Sequence, residues 1–242
     1  MKDKRNIVVD IGNTLIKSGL FQDGQLKEQQ YWGSIESLLL YAREQKPHRI
    51  GFVSVKNGEK ELLETFHEFI PTIFTNKSRM PISIDYETVD TLGTDRLIGA
   101  VAAHFLFPNR NTLVIDMGSC ITYDLLDSQS VYQGGVISPG LKMRMRAMNH
   151  YTRNLPDLST QETDWSYQPV GKSTRECMEL GVHRAIIHEI DGFIHDYAQQ
   201  YPELVVLMTG GDAPFFESKV KQPIFADANL ILKGLNLLLD SE

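Results

Sequence analysis

The chain of 242 residues has little cysteine: Cys120 and Cys177 are too few for a disulfide framework and are not spaced as a zinc site. Positive charge is also short. Against 31 Asp and Glu stand 24 Lys and Arg, a net charge of −7, and no long basic run stands out. Affinity for nucleic acid or an anionic membrane is therefore not expected, and the expected partner is a small molecule. Long hydrophobic runs are missing too, since nothing approaches the roughly 18 apolar residues that cross a bilayer. The charged opening MKDKRN leads into a strand rather than a signal-peptide core. These absences together set the expectation of a cytoplasmic protein, with enough chain for one large or two small domains.

What the chain does have is one pattern twice. Ile7-Val8-Val9 runs into Asp10-Ile11-Gly12-Asn13-Thr14-Leu15-Ile16-Lys17, and Leu113-Val114-Ile115 runs into Asp116-Met117-Gly118-Ser119-Cys120-Ile121-Thr122-Tyr123-Asp124. Each reads as a buried strand that ends in a carboxylate, turns through Gly and returns as the second arm of a hairpin. Gly lets backbone approach closely and lets N–H groups point into the turn, and Ser or Thr adds donors without bulk, so such turns suit phosphate. The strand-end Asp suits a hydrated divalent cation that also bridges phosphate oxygens. One copy alone reads equally well as a hairpin with a capping Asp. Two copies in matching order point to a duplicated domain that grips a nucleoside triphosphate. Cys120, inside the second turn, reads as a small core residue rather than a reactive thiol.

In order, the chain reads as a meander of strands over 7–10, 15–21 and 26–32, then a helix capped by Ser34 and running to Glu44 with Leu38, Leu39 and Ala42 inward. A strand over 49–55, a helix over 60–70 with Leu62, Leu63, Phe66 and Phe69 inward, and a short strand at Ile73-Phe74 imply a parallel crossover. After a strand over 82–86, Thr91-Leu92-Gly93-Thr94-Asp95-Arg96 opens a helix carrying Leu97, Ile98, Val101, Ala102 and Phe105. Asp95 there is an ordinary helix-start residue, because the helix dipole favours a negative charge. Arg96 is not ordinary, since a cation at that end calls for a carboxylate partner from the protein or from a ligand.

The second half continues with the glycine-rich stretch Gln133 to Gly140, a helix from about Leu141 and a loop over 153–172. Ser173-Thr174-Arg175-Glu176 then forms a capping box before a long helix. Thr174 reads more readily as a structural first-turn residue than as a ligand contact. Val205 to Met208 is a buried strand ending in Thr209-Gly210-Gly211-Asp212, and the last helix starts near Asn229. The division falls into an N-terminal domain over 1–111 and a C-terminal domain over 112–242.

The order of two hairpins and a Gly-Gly turn resembles the nucleotide-binding layout of the actin-like, sugar kinase and Hsp70 superfamily. That resemblance implies an α/β fold of two ribonuclease H-like domains, each a mixed sheet with helices, closing over ATP. Within the superfamily, Asp10 to Thr14, Leu92 to Arg96, Asp116 to Ser119, Gly134 to Gly140 and Thr209 to Asp212 resemble the ordered motifs of the type III pantothenate kinases. The resemblance implies ATP-dependent phosphorylation of pantothenate, the first step towards coenzyme A, by a homodimer that uses magnesium and potassium or ammonium. Asp10, Ile11, Gly12, Asn13, Thr14, Leu15, Ile16 and Lys17 would hold the ATP phosphates, with Asp10 on magnesium and Ser119 contributing from the second turn. Asp95 matches the catalytic base, Gly93, Thr94, Asp95 and Arg96 the pantothenate site, Asp116 the monovalent-cation ligand, and Tyr86 and Thr174 further substrate contacts. The chain departs from the family at Ser119-Cys120, where Thr-Ala is commoner. Another small-molecule kinase of the superfamily, a non-catalytic regulator and a ribonuclease H-type nuclease are the alternatives.

Overall fold

Strands β1 (Arg5–Ile11), β2 (Ile16–Gln22) and β3 (Gln25–Trp32) form the antiparallel meander that the N-terminal pattern predicts. The structure, a computed structural model, describes residues 4–12, 15–54, 58–160 and 168–241. The β2–β3 turn places Asp23 and Gly24 at φ 50° and 78°, where Gly carries no Cβ penalty. Ser34 caps α1 (Ile35–Gln45) by accepting from the Ser37 N–H at 3.3 Å. Strand β4 (Arg49–Ser54) then lies parallel to β1, and β5 (Pro71–Phe74) parallel to β4, giving the sheet order β3-β2-β1-β4-β5.

The predicted helix over 60–70 is shorter than expected. It ends as α2 (Glu59–Thr65), followed by a 3-10 turn at His67–Phe69 and by Ile70 at φ 51°. The helical region is disfavoured for a residue before proline, and Pro71 begins β5. Leu62 and Phe66, four residues apart, share the inner face, with Phe66 packed 5.0 Å from Phe52, whereas Leu63 turns outward. The strand expected over 82–86 contracts to β6 (Ser83–Ile84). Val55, expected to end the preceding strand, lies outside the described residues. In α3 (Thr94–Leu106) the residues Leu97, Ile98, Val101 and Ala102 are buried as predicted, but Phe105 is exposed.

The second half repeats the plan. Strands β7 (Thr112–Met117), β8 (Cys120–Leu126) and β9 (Val131–Pro139) follow one another through tight turns; α4 (Leu141–Tyr151) and α5 (Thr174–Gln200) come next. Then β10 (Val205–Thr209) lies parallel to β7, and β11 (Phe225–Ala226) lies parallel to β10 after the short α6 (Ala213–Phe216). The second sheet has six strands in the order β6-β9-β8-β7-β10-β11, and its last five repeat the order of the first sheet. The fold is thus mixed α/β with a duplicated sheet topology.

Two compact units emerge. The first takes residues 1–109, 126–134 and 229–242, and so includes β6 paired in parallel with Val131 and Tyr132 and the final helix α7 (Leu230–Ser241). Its core joins Ile7, Val9, Leu38, Phe52 and Phe66. The second takes residues 110–125 and 135–228, with Leu113, Ile115, Tyr123, Ile186, Ile190 and Met208 at its centre. Among the described residues, no helix is long and apolar enough to cross a membrane.

Candidate active site

In the first unit the β1–β2 turn sets Asp10 opposite Lys17 in the strand register, and the Gly12 N–H closes the turn on the Leu15 carbonyl at 3.0 Å. Asn13 and Thr14, which complete the predicted phosphate turn, lie outside the described residues. Burial pushes the Asp10 carboxyl up from 3.8 to about 6, the negative charge of Asp95 pushes the same way, and Lys17 opposes both. The fold thus brings together the strand-end carboxylate and the helix-start carboxylate.

The start of α3 explains why its sequence is Gly-Thr-Asp-Arg. The Asp95 side chain folds back to accept from the Arg96 N–H at 2.9 Å. A Cβ on Gly93 would lie 2.5 Å from Asp95 Oδ1, so a side chain at 93 would displace that carboxylate. Arg96, 8% exposed, is buried in the first turn of α3, at the positive end of the helix. Tyr86, also in the first unit, packs its ring against Gly134, which holds φ 88° and would bring a Cβ to 3.3 Å from the ring, and against Tyr132 at 6.2 Å.

In the second unit Asp116 is the penultimate residue of β7, and the Gly118 N–H closes the turn after it on the Cys120 carbonyl at 3.0 Å. This turn is one residue tighter than the first. In both, the Gly N–H is used to close the turn. Two glycines far away in sequence pack on this turn. Gly210, at φ 95°, would bring a Cβ to 2.5 Å from Asp116 Oδ1, and Gly140 would bring one to 2.5 Å from the Gly118 carbonyl. The Gly140 N–H donates to the Ser119 carbonyl at 3.1 Å, and the Asp212 N–H donates to that of Met117 at 3.1 Å. Burial raises the Asp212 carboxyl, with Lys142 opposing. Asp212 belongs to the Thr209-Gly210-Gly211-Asp212 motif read from the sequence but had no role of its own there, and Lys142 was not singled out, although the Pro139-Gly140 dipeptide before it was the available signal. Ser119 is exposed at the turn's tip. Thr174 sits in the first turn of α5, capped by Ser173, beside a pocket of about 500 Å³ floored by Met148, Leu155 and Met178.

No three His, Cys, Asp or Glu side chains cluster as a metal cage among the described residues. A cation brought in with a nucleotide needs no cage, because magnesium usually keeps waters and takes one or two carboxylates plus phosphate oxygens. The mutual repulsion of Asp10 and Asp95, with the raised Asp10 carboxyl, fits such an ion.

A duplicated β-meander sheet with a carboxylate and a glycine turn after the first strand of each copy defines the class, an actin-like kinase fold. Solved structures show the same fold. A Baf family transcriptional activator from Campylobacter jejuni aligns with a TM-score of 0.65 at 22% identity, over 97% of this chain and 98% of that one. The ROK hexokinase of Thermus thermophilus aligns with a TM-score of 0.53 at 13% identity, over 98% of this chain and 100% of that one. Sequence narrows the class. The sequence model of the type III pantothenate kinases matches residues 6–196. A type III pantothenate kinase of Cytophaga hutchinsonii is 41% identical over 239 residues, covering 97% of this chain and 98% of that protein. The chain belongs to the type III pantothenate kinase family.

Proposed function

We propose that the protein transfers the γ-phosphoryl group of ATP to the terminal hydroxyl of pantothenate, giving 4′-phosphopantothenate for coenzyme A synthesis. The observation that carries this reading is the Gly93-Thr94-Asp95-Arg96 helix start, where the Asp95 carboxylate folds back on the Arg96 N–H at 2.9 Å into space that only Gly93 leaves open, in a chain 41% identical to a type III pantothenate kinase. A sugar acceptor is not favoured, because the full-length relative at 41% identity is a pantothenate kinase, and likeness to the Baf protein, at 22% identity, carries the fold alone.

Phosphoryl transfer asks for positioning and charge neutralisation more than covalent chemistry. Asp95 takes the proton of the pantothenate hydroxyl as the O–P bond forms, and Gly93 leaves room for its carboxylate. Arg96 pairs with the pantothenate carboxylate through its planar fork, which Lys cannot reproduce. Thr94, Tyr86 and Thr174 complete the acceptor site. Asp10 through Lys17, including Asn13 and Thr14, hold the phosphates, Lys17 offsets their charge, and Ser119 adds a hydroxyl. Magnesium bound with ATP would sit on Asp10 and neutralise the β- and γ-phosphates. Asp116, packed under Gly210, holds the potassium or ammonium ion. The working form is a cytoplasmic homodimer, and the halves 1–111 and 112–242 are its functional division, each contributing one turn.

ADP release with magnesium-ATP and pantothenate, run in potassium and again in sodium, tests the reading. Turnover should require pantothenate and potassium, and Asp95→Asn should lower it by about 10²–10⁴ while nucleotide still binds. Near-normal turnover in that variant removes Asp95 from the role of base. Absence of pantothenate-dependent release in both salts overturns the assignment.

A further inference from the structure

In the second unit four side chains from four elements meet away from the residues assigned above. Glu189 of α5 accepts from the Tyr123 hydroxyl of β8 at 2.9 Å and from the Ser138 hydroxyl of β9 at 2.5 Å on one oxygen. Its other oxygen takes Arg144 of α4 at 2.6 Å. The pair is mostly buried, with side-chain exposures of 17% for Arg144 and 22% for Glu189. A desolvated carboxylate with three donors is held in one geometry, and burial together with its charge drives the Tyr123 hydroxyl well above its ordinary pKa.

The cluster leads to the second turn by a short path. Arg144 Nε donates to the Pro139 carbonyl at 2.7 Å, and the Arg144 N–H donates to the Gly140 carbonyl at 3.0 Å. The Gly140 contact is the first backbone bond of α4, and the side-chain contact holds Pro139, the residue before it. Gly140 in turn donates to the Ser119 carbonyl and packs on the Gly118 and Ser119 carbonyls with no room for a Cβ. Ser119 consequently rests on a support whose position is set by Arg144, and Arg144 is set by Glu189.

We infer that Glu189 and Arg144 are positioning residues for the nucleotide, acting through Pro139-Gly140 on the Gly118-Ser119 turn. The inference rests on the proposal that this turn contacts ATP. Neither side chain needs to touch nucleotide. Glu189 shares its face of α5 with the core residues Val182 and Ile186 and bonds the core residue Tyr123, so Glu189→Gln and Arg144→Lys, which keep side-chain bulk beside that core, are the informative variants.

The test measures binding of a fluorescent ADP analogue with magnesium to the full-length protein, alongside the Michaelis constant for pantothenate, below the melting temperature of every variant. Glu189→Gln and Arg144→Ala should each weaken nucleotide binding five- to thirtyfold and change the pantothenate constant less than twofold. The double variant should fall within twofold of the worse single, because one path is broken in either case. Arg144→Lys, which keeps a cation but not the fork, should fall between. A second measurement needs no nucleotide: amide exchange at Gly140 and Gly118, whose N–H groups donate to the Ser119 and Cys120 carbonyls, should quicken at least tenfold in Arg144→Ala. Unchanged exchange, or nucleotide binding within twofold of the parent, overturns the inference, as does equal weakening of both substrates. Quickened exchange in a protein whose parent binds no nucleotide would sustain the support and overturn its role in binding, along with the assignment of the turn to ATP.

Discussion

Asp10 shows how a single residue trades stability for function. Its carboxyl is held at about 6 rather than 3.8, so between those values the folded state binds more protons than the unfolded chain. The stabilisation from the protonated form is complete below about pH 4 and is lost as pH rises through about 6. Ionised at neutral pH, Asp10 costs at most about 3 kcal/mol, the free-energy equivalent of moving its pKa from 3.8 to about 6. In the proposed role, a bound cation and phosphates would offset that cost. Nucleotide affinity in magnesium should therefore rise from pH 5 to 7 with a midpoint near 6, as read by calorimetric titration. In Asp95→Asn the midpoint should move down, because a like charge is gone. Asp10→Asn should melt higher than the parent at pH 7.5 without ligand, yet lose magnesium-dependent nucleotide binding. A flat affinity profile over this range would place the essential ionisation elsewhere.

At the scale of elements, the crossing of α3 and α7 is the most demanding contact of the first unit. Gly234 of α7 would bring a Cβ to 2.5 Å from the Ile98 carbonyl and 2.9 Å from Ala102 Cβ. Ala is the better helix former by about 1 kcal/mol, so on a free helix Gly234→Ala would stabilise. Here the two backbones must part, and overpacking of this kind costs about 1–3 kcal/mol. The expected result is a lower melting temperature; an unchanged or higher one would mean that the crossing is looser than these distances indicate. Helices with a sequence-encoded stop or start were legible: Ser34 and Ser173 cap α1 and α5 as read from the sequence. The end of α2 was not, because periodicity gives Leu62, Phe66 and Phe69 one apolar face without recording that the chain must leave it to enter β5 at Pro71. Phe105 was misjudged for a similar reason, since a helix has a register but the sequence does not say where its cover ends.

At the scale of the whole molecule, the chain ends by returning to its beginning. Leu230, Leu232, Leu235, Leu238 and Leu239 of α7 are buried in the first unit. Asn6 of β1 donates to Asn236 at 3.0 Å and to Asp240 at 2.8 Å, and Arg49 of β4 donates to the Leu239 carbonyl at 2.5 Å. At about 1.5–3 kcal/mol per buried leucine, this burial rivals the about 5–15 kcal/mol that holds a typical domain folded. A chain ending at Ala228 should lack a cooperative melt for the first unit and bind no nucleotide, as followed by circular dichroism. A native-like melt would show that β1 to β5 hold without the helix.

The strands that carry Asp10 and Asp116, the Gly12 and Gly118 turns after them, and the helix starts at Gly93 and Ser173 were legible from sequence, because each depends on neighbours within a few positions, whereas β6 was read too long and β11 was not read. The matched order of these motifs also carried the superfamily and the family. Only the tertiary structure decided that Asp95 lies in the field of Asp10, that Gly140 and Gly210 support the second turn, that Glu189 and Arg144 hold Gly140, and that α7 closes the first core. Such pairings join segments far apart in the chain, and burial and desolvation, which settle them, have no value until both partners are in place.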